Sequence, residues 1–219
     1  MHSLHHILSS HGSALVLDAS SQVIHGGWLE RDKSPRWSRS TQEAGVGVFQ
    51  VLAQLGVSPS QAQAFIFCEG PGSILGIRTV ATVLRTWIAL NPRPVYCYRS
   101  LELVAHTTGQ VGQTIICDAR RQSWHTLTIG PDFAFAGIHR TPTAELPAQN
   151  LLSPDGFRCW SAWPSSPPTI VAYNPPQLSD ALTQAPLLRP TEDPDAFLHE
   201  DPSYVQWTPR IHRAPPSSQ

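Results

Sequence analysis

The sequence predicts an α/β fold, and three observations carry that prediction. The stretch Ala64–Leu90, AFIFCEGPGSILGIRTVATVLRTWIAL, reads as a covered strand, a glycine turn and a long helix. Short apolar runs at Ala14–Leu17, Pro94–Tyr98, Thr114–Asp118 and Trp124–Ile129 alternate with helical spacing over Ser40–Leu55 and after Ser100. After Thr141 the composition changes. Fifteen of the twenty-one prolines fall in residues 142–219, and proline at that density breaks helices and central strands. A chain of 219 residues suffices for one large domain or two small lobes.

Taken in order, residues 1–13 carry His2, His5, His6 and His11 among serines. No carboxylate or cysteine supports a metal site there, so a flexible His-rich leader is expected. Ala14–Leu17 is a strand that ends in Asp18-Ala19-Ser20-Ser21, where Asp18 either caps a turn or meets a phosphate. Val23–Glu30 is the second strand of a hairpin. Arg31–Ser38 mixes charge and proline and fits a loop or a ragged edge strand. Ser40 and Glu43 form a capping-box pattern for a helix over Ser40–Leu55 that stops at Gly56. Val48, Phe49, Leu52 and Leu55 share one side of it. Gly45 and Gly47 each cost up to ~1 kcal/mol against alanine inside a helix. Close approach of another helix, from this chain or a partner, would offset that cost.

In the central stretch, Gly70-Pro71-Gly72 forces a turn and Ser73 is an N-cap. Ile77, Val80, Val83, Leu84, Trp87 and Ile88 share a helix side. A glycine turn at a helix N-terminus suggests anion binding. The alternative is that the glycines only let strand and helix pack closely, since neither a P-loop lysine nor a full G-x-G-x-x-G is present. Ser100 is an N-cap for the helix after Pro94–Tyr98. Ala119-Arg120-Arg121-Gln122 joins the two later strands. Asp118 and an arginine either face a cleft and meet phosphate or form a polar hairpin with Asp118 paired to arginine. Beyond Thr141, edge strands such as Thr169–Tyr173 and short helical turns are expected.

Composition bounds the function classes. Net charge is -1 and the pI is near 6.8, so no global field draws the chain onto nucleic acid or an anionic membrane. Lys33 is the one lysine against fourteen arginines. Cys68, Cys97, Cys117 and Cys159 make no C-x-x-C pair, which fits reduced thiols in a cytoplasmic protein. Neither a signal-peptide pattern nor a span of about eighteen apolar residues is present.

Several motifs carry a resemblance. GPGSILGIR is similar to the GPGSFTGLR signature of the TsaB (YeaZ) family, with Ile74-Leu75 in place of Phe-Thr and Ile77 in place of leucine. That family is the non-catalytic partner of TsaD in bacterial tRNA threonylcarbamoyladenosine synthesis. DASS at Asp18 resembles the family's DTST-like segment, Arg99–Ala105 its SSLEALA segment, DARR at Asp118 its DARRGEVY, and Pro202-Ser203-Tyr204-Val205 its P-x-Y-[LV] strand. The likeness spans roughly Ala14 to Arg210. It implies an actin-like, ribonuclease-H-like pair of α/β lobes, at residues 14–105 and 106–208, with a reduced proline-rich second lobe and a tail at 209–219.

The resemblance further implies a cytoplasmic pseudoenzyme scaffold without cofactor, metal or catalytic residues. Its partners would be a TsaD-like subunit in a heterodimer and a TsaE-like ATPase, with tRNA met only through the complex and a homodimer when alone. The implied TsaD-facing residues are Gly45, Phe49, Leu52, Gly72, Ile77, Val80, Val83, Leu84 and Trp87. Asp18, Arg78, Asp118 and Arg120 are the implied phosphate or cleft contacts. TsaD carries two metal-ligating histidines where this chain has Ser100 and Val104, so the metal-dependent transfer chemistry is not expected here. The whole complex would act on threonylcarbamoyl-adenylate and adenosine 37 of ANN-decoding tRNAs.

Two other classes stay in view. A hydrolase would need a nucleophile near a base, but Ser73 lies in GPGS rather than a G-x-S-x-G elbow, and Cys117 facing His125 across a hairpin is the remaining pair. An ATP-using phosphotransferase would need a glycine-rich adenosine loop that the second half lacks. The third class is a diverged, self-associating module that no longer binds TsaD.

Overall fold

Two mixed sheets built in the same strand order frame the chain. The computed structural model describes residues 1–197. The expected Pro202–Val205 strand and the tail at 209–219 lie outside the described residues. In the first sheet β1 (Ser13–Asp18), β2 (Ile24–Glu30) and β3 (Arg36–Ser40) form an antiparallel meander. On the other side of β1, β4 (Ala64–Gly70) and β5 (Val95–Arg99) continue in parallel. The second sheet repeats this plan. There β6 (Thr114–Asp118), β7 (Ser123–Thr128) and β8 (His139–Pro142) form the meander, and β9 (Leu151–Pro154) and β10 (Thr169–Val171) are the parallel strands. A final strand, β11 (Arg189–Thr191), returns antiparallel to the edge of β5. The stretch expected to be a loop or a ragged edge strand, Arg31–Ser38, is both: a turn precedes Arg36, and the edge strand β3 begins there.

The helices are α1 (Leu4–His11), α2 (Ala44–Leu55), α3 (Ile74–Leu90) and α4 (Ser100–Thr108). Helices α2 and α3 cover one face of the first sheet, where Val48, Val51, Ile77, Val80 and Leu84 pack on Leu15, Leu17, Phe65 and Phe67. On the opposite face Leu4, Ile7, Leu103 and Leu178 pack on Val16, Ile66 and Tyr98. Helix α4 lies between the sheets, because Leu101, Val104 and Ala105 on its other side meet Ile115, Leu127 and Leu152. Among the described residues no α-helix follows Thr108. The outer face of the second sheet is instead covered by chain after β8. Trp163 stacks on the buried Trp124 at 5.2 Å between ring centres, and Leu146 and Cys159 pack against the same cluster.

Three local expectations need correction. Residues 1–13 are not a flexible leader. Ser3 caps α1 through its side chain, Ile7 is fully buried, Gly12 ends the helix at φ 84°, and Arg31 donates to the terminal carbonyls of Leu8 and Ser9. Helix α2 starts at Ala44, not Ser40. Ser40 ends β3, and its hydroxyl donates to Gln50 Oε1 at 2.5 Å and accepts from Gln42 N, so the capping-box pattern is spent on strand-to-helix ties. Ser100 is likewise the first residue of α4 rather than its cap. Its buried hydroxyl donates to the Pro71 carbonyl at 2.5 Å. By contrast Ser73 caps α3 and Gly56 stops α2 in the left-handed conformation, as the sequence predicts.

Candidate functional site

Two places gather the residues that the sequence singles out: the junction between the sheets around Asp18, and the shared starting end of α2 and α3. Asp18 ends β1 and is completely buried. Its Oδ1 accepts from the Ser20 N–H at 2.8 Å and the Ser20 hydroxyl at 2.7 Å. Its Oδ2 accepts from the Tyr98 hydroxyl and from the Tyr173 hydroxyl, the latter at 2.6 Å. Tyr98 comes from β5. Tyr173 follows β10 of the second sheet, so one carboxylate ties the two sheets together. Burial, then the negative charge of Asp18, holds both phenols well above their ordinary pKa. The same causes push up the buried Cys68 thiol beside them. Asp18 is thus a packed structural acceptor, fully buried and engaged by four internal donors, and not the open cleft contact expected of it.

The glycine turn closes against the same segment. A Cβ on Gly72 would collide with the Ser20 carbonyl, and one on Gly76 with that of Ala19. The Ser73 N–H donates to the Ser20 carbonyl at 2.7 Å, and the Gly76 N–H to Ser73 Oγ at 3.3 Å. These glycines serve close packing, and two of the N–H groups an anion would take have partners inside the chain.

Asp118 and Arg120 also part from expectation. The Asp118 carboxylate accepts from the Arg120 N–H at 2.6 Å, from the Ser161 N–H at 2.9 Å, from the Ser161 hydroxyl at 2.8 Å and from the Trp160 N–H. Burial opposes the ionised form, but the hydrogen bonds from Trp160, Ser161 and Arg120 outweigh it and lower the pKa. Asp118 therefore pins the segment after β9 instead of meeting a phosphate or an arginine side chain. The Arg120 guanidinium lies 5.9 Å from the Trp160 ring centre. Arg78 is exposed on α3.

A hydrolytic pair is not favoured by the chemistry of Cys117. It faces His125 across β6 and β7, but burial, then the Asp118 charge, raises its pKa, the reverse of an activated thiolate. Among the described residues no group of three or more His, Cys, Asp or Glu could hold a metal ion. Ser100 and Val104 are both buried.

The nine expected partner-facing residues divide. Leu52, Ile77, Val80 and Leu84 belong to the core of this chain, and Gly72 packs under Ser20. Val83 and Trp87 are half-buried beside that core. Gly45 and Phe49 face outward. Gly47 meets Ile24 of β2, so its missing side chain serves helix-to-sheet contact, whereas a Cβ on Gly45 would meet nothing. The strand directions place the first turns of α2 and α3 at the same end of the sheet. Sequence reasoning missed three residues there. Val46, Ile74 and Leu75 are 61%, 41% and 77% exposed, beside Phe49 at 53%. Their signal was apolar residues off the buried stripe of each helix.

The architecture defines an α/β protein of two mixed sheets in which one helix is shared. No protein-family model matches the sequence, and no curated protein matches it. Among solved structures, YeaZ from Pseudomonas aeruginosa superposes with a TM-score of 0.51 at 18% identity, over 65% of this chain and 75% of that one. An uncharacterised protein with similarity to peptidase YEAZ from Pseudomonas aeruginosa superposes with a TM-score of 0.52 at 19% identity, over 74% and 85%. The chain has the YeaZ fold. Among the described residues, no helix is long and apolar enough to cross a membrane.

Proposed function

We propose that this chain is a TsaB-like scaffold of the actin-like, ribonuclease-H-like class, a cytoplasmic and non-catalytic subunit that binds a TsaD-like protein in tRNA threonylcarbamoyladenosine formation. The observation that carries this reading is the apolar cluster Val46, Phe49, Ile74 and Leu75, which α2 and α3 leave in solvent at one end of the first sheet. Four large apolar side chains on the opening turns of two neighbouring helices are the kind of surface a partner covers. The YeaZ fold supports the choice of partner. The consumption of Asp18 by four internal donors supports a binding role over nucleotide chemistry.

The test is to mix the purified chain with TsaD from the same organism. A heterodimer on size exclusion is expected. Phe49→Glu with Leu75→Glu should abolish it while leaving the melting temperature of the free chain within a few degrees, because both side chains are already exposed. A homodimer alone, with no heterodimer, would replace this reading by the self-associating module.

A further inference from the structure

The second sheet carries an aromatic and cationic surface that the scaffold reading does not use. Trp160 is 67% exposed and Trp163 is 44% exposed. Neither sits on a loose loop. Asp118 binds the backbone N–H groups of both Trp160 and Ser161 and the hydroxyl of Ser161, so the chain under the Trp160 ring is tied down. Trp163 stacks on Trp124, which is itself buried and hydrogen-bonded to Thr143. The Arg120 guanidinium stands 5.9 Å from the Trp160 ring centre. Arg121 is next to it, and Arg158 is two residues before Trp160 on the tied segment.

The hairpin that presents these arginines adopts an uncommon backbone. Arg120, Arg121 and Gln122 have φ of 63°, 53° and 56°, three successive left-handed residues without a glycine. Glycine would relieve that conformation, so the turn holds guanidinium groups where a smaller residue would fold more easily. Residues 118–122 and 158–161 contain three arginines and one aspartate, whose oxygens are engaged by the backbone. The local charge is positive in a chain whose net charge is -1.

We infer that Trp160, Trp163, Arg120, Arg121 and Arg158 form a contact site for single-stranded nucleic acid. Flat exposed indoles stack on bases whatever the sequence, and guanidinium groups beside them meet the phosphates of the same strand. An acidic peptide would use the arginines but not the exposed rings. A proline-rich peptide would use the rings but not the arginines. Duplex nucleic acid hides the base faces that the rings require. The site is independent of the α2–α3 end and belongs to this chain alone.

The test uses the whole chain without any partner and a fluorescein-labelled short single-stranded RNA, followed by anisotropy. A DNA strand of the same sequence, the RNA duplex and a polyglutamate peptide are run in parallel. Binding of the RNA or DNA strand, with weaker binding of the duplex, is expected. Trp160→Ala should weaken it on the order of tenfold, and Trp160→Phe should retain most of it. Arg120→Gln with Arg121→Gln should flatten the log–log salt dependence by about 0.7 per lost phosphate contact between about 50 and 200 mM salt. The melting temperature of each variant, unchanged within a few degrees, separates a lost contact from a lost fold. Absence of strand binding overturns the inference. So does equal binding of the duplex, preference for the peptide, or single-strand binding that both sets of substitutions leave intact.

Discussion

Asp18 and Asp118 show how one residue type at equivalent strand ends becomes an anchor. Each ends the first strand of its sheet, and each draws donors from far along the chain. Tyr173 lies 155 residues from Asp18, and Ser161 lies 43 residues from Asp118. From the sequence Asp18 reads as a phosphate contact or a turn cap, and Asp118 as a phosphate contact or an arginine's partner, because no local pattern reveals donors that arrive from so far away. The consequence for Asp18 is measurable. Tyr173→Phe removes one charge-assisted hydrogen bond and leaves the ring in place, and should cost about 1–2 kcal/mol in a urea titration. Asp18→Ala strands the buried Tyr98 hydroxyl and leaves that of Tyr173 only the Ser20 hydroxyl, at 3.1 Å, and the Cys68 thiol, so it should cost more than that. ATP with Mg²⁺ should leave the melting temperature of the free chain unchanged, since a ligand that binds the folded state would raise it. A rise that Asp18→Asn removes would restore a nucleotide role to this carboxylate.

At the level of elements, most strands and the long α3 were legible, because their apolar periodicity is local. Helix starts were less so. Ser40 and Ser100 have the chemistry of caps, but tertiary partners, Gln50 and the Pro71 carbonyl, claim their hydroxyls. Helix α1 was missed for a related reason. Its eight residues are polar enough to read as a tail, and only Leu4 and Ile7 are buried, with Leu8 packed at the edge of the same core. Ile7→Ala should therefore destabilise the protein by about 3 kcal/mol, where a flexible leader would show no change. The glycines of α2 make a second contrast. Gly45→Ala meets open space and should raise stability by up to ~1 kcal/mol. Gly47→Val pushes against Ile24 and the Gln42 carbonyl and should lower it, despite valine's better helix propensity. Thermal melts of the two variants should move in opposite directions.

For the whole molecule, the TsaB resemblance anticipated an α/β fold, but the sheet pairing that repeats one strand order twice has no local signature. What joins the halves is α4, buried on both sides, and the Asp18 cluster between the sheets. That cluster sets a pH limit on the whole fold. Burial first, and Asp18's charge second, holds the Cys68, Tyr98 and Tyr173 pKa values above their ordinary range, and burial raises Cys97 on β5 to about 12. In the unfolded chain cysteine ionises near 8.5 and tyrosine near 10. Above those values the unfolded state binds fewer protons than the folded state, so stability falls as pH rises. The contribution is complete below about pH 8, declines from about pH 8.5 as the thiols titrate, and declines faster past about pH 10 when the phenols join. Each such group adds up to about 1.4 kcal/mol of loss per pH unit within its window. Urea midpoints at increasing pH should trace that curve, and Tyr173→Phe should make it shallower past about pH 10 by removing one titrating phenol. A midpoint that rises across the alkaline range, or a slope that Tyr173→Phe leaves untouched, would mean that the phenol joining the two sheets is not buried as described.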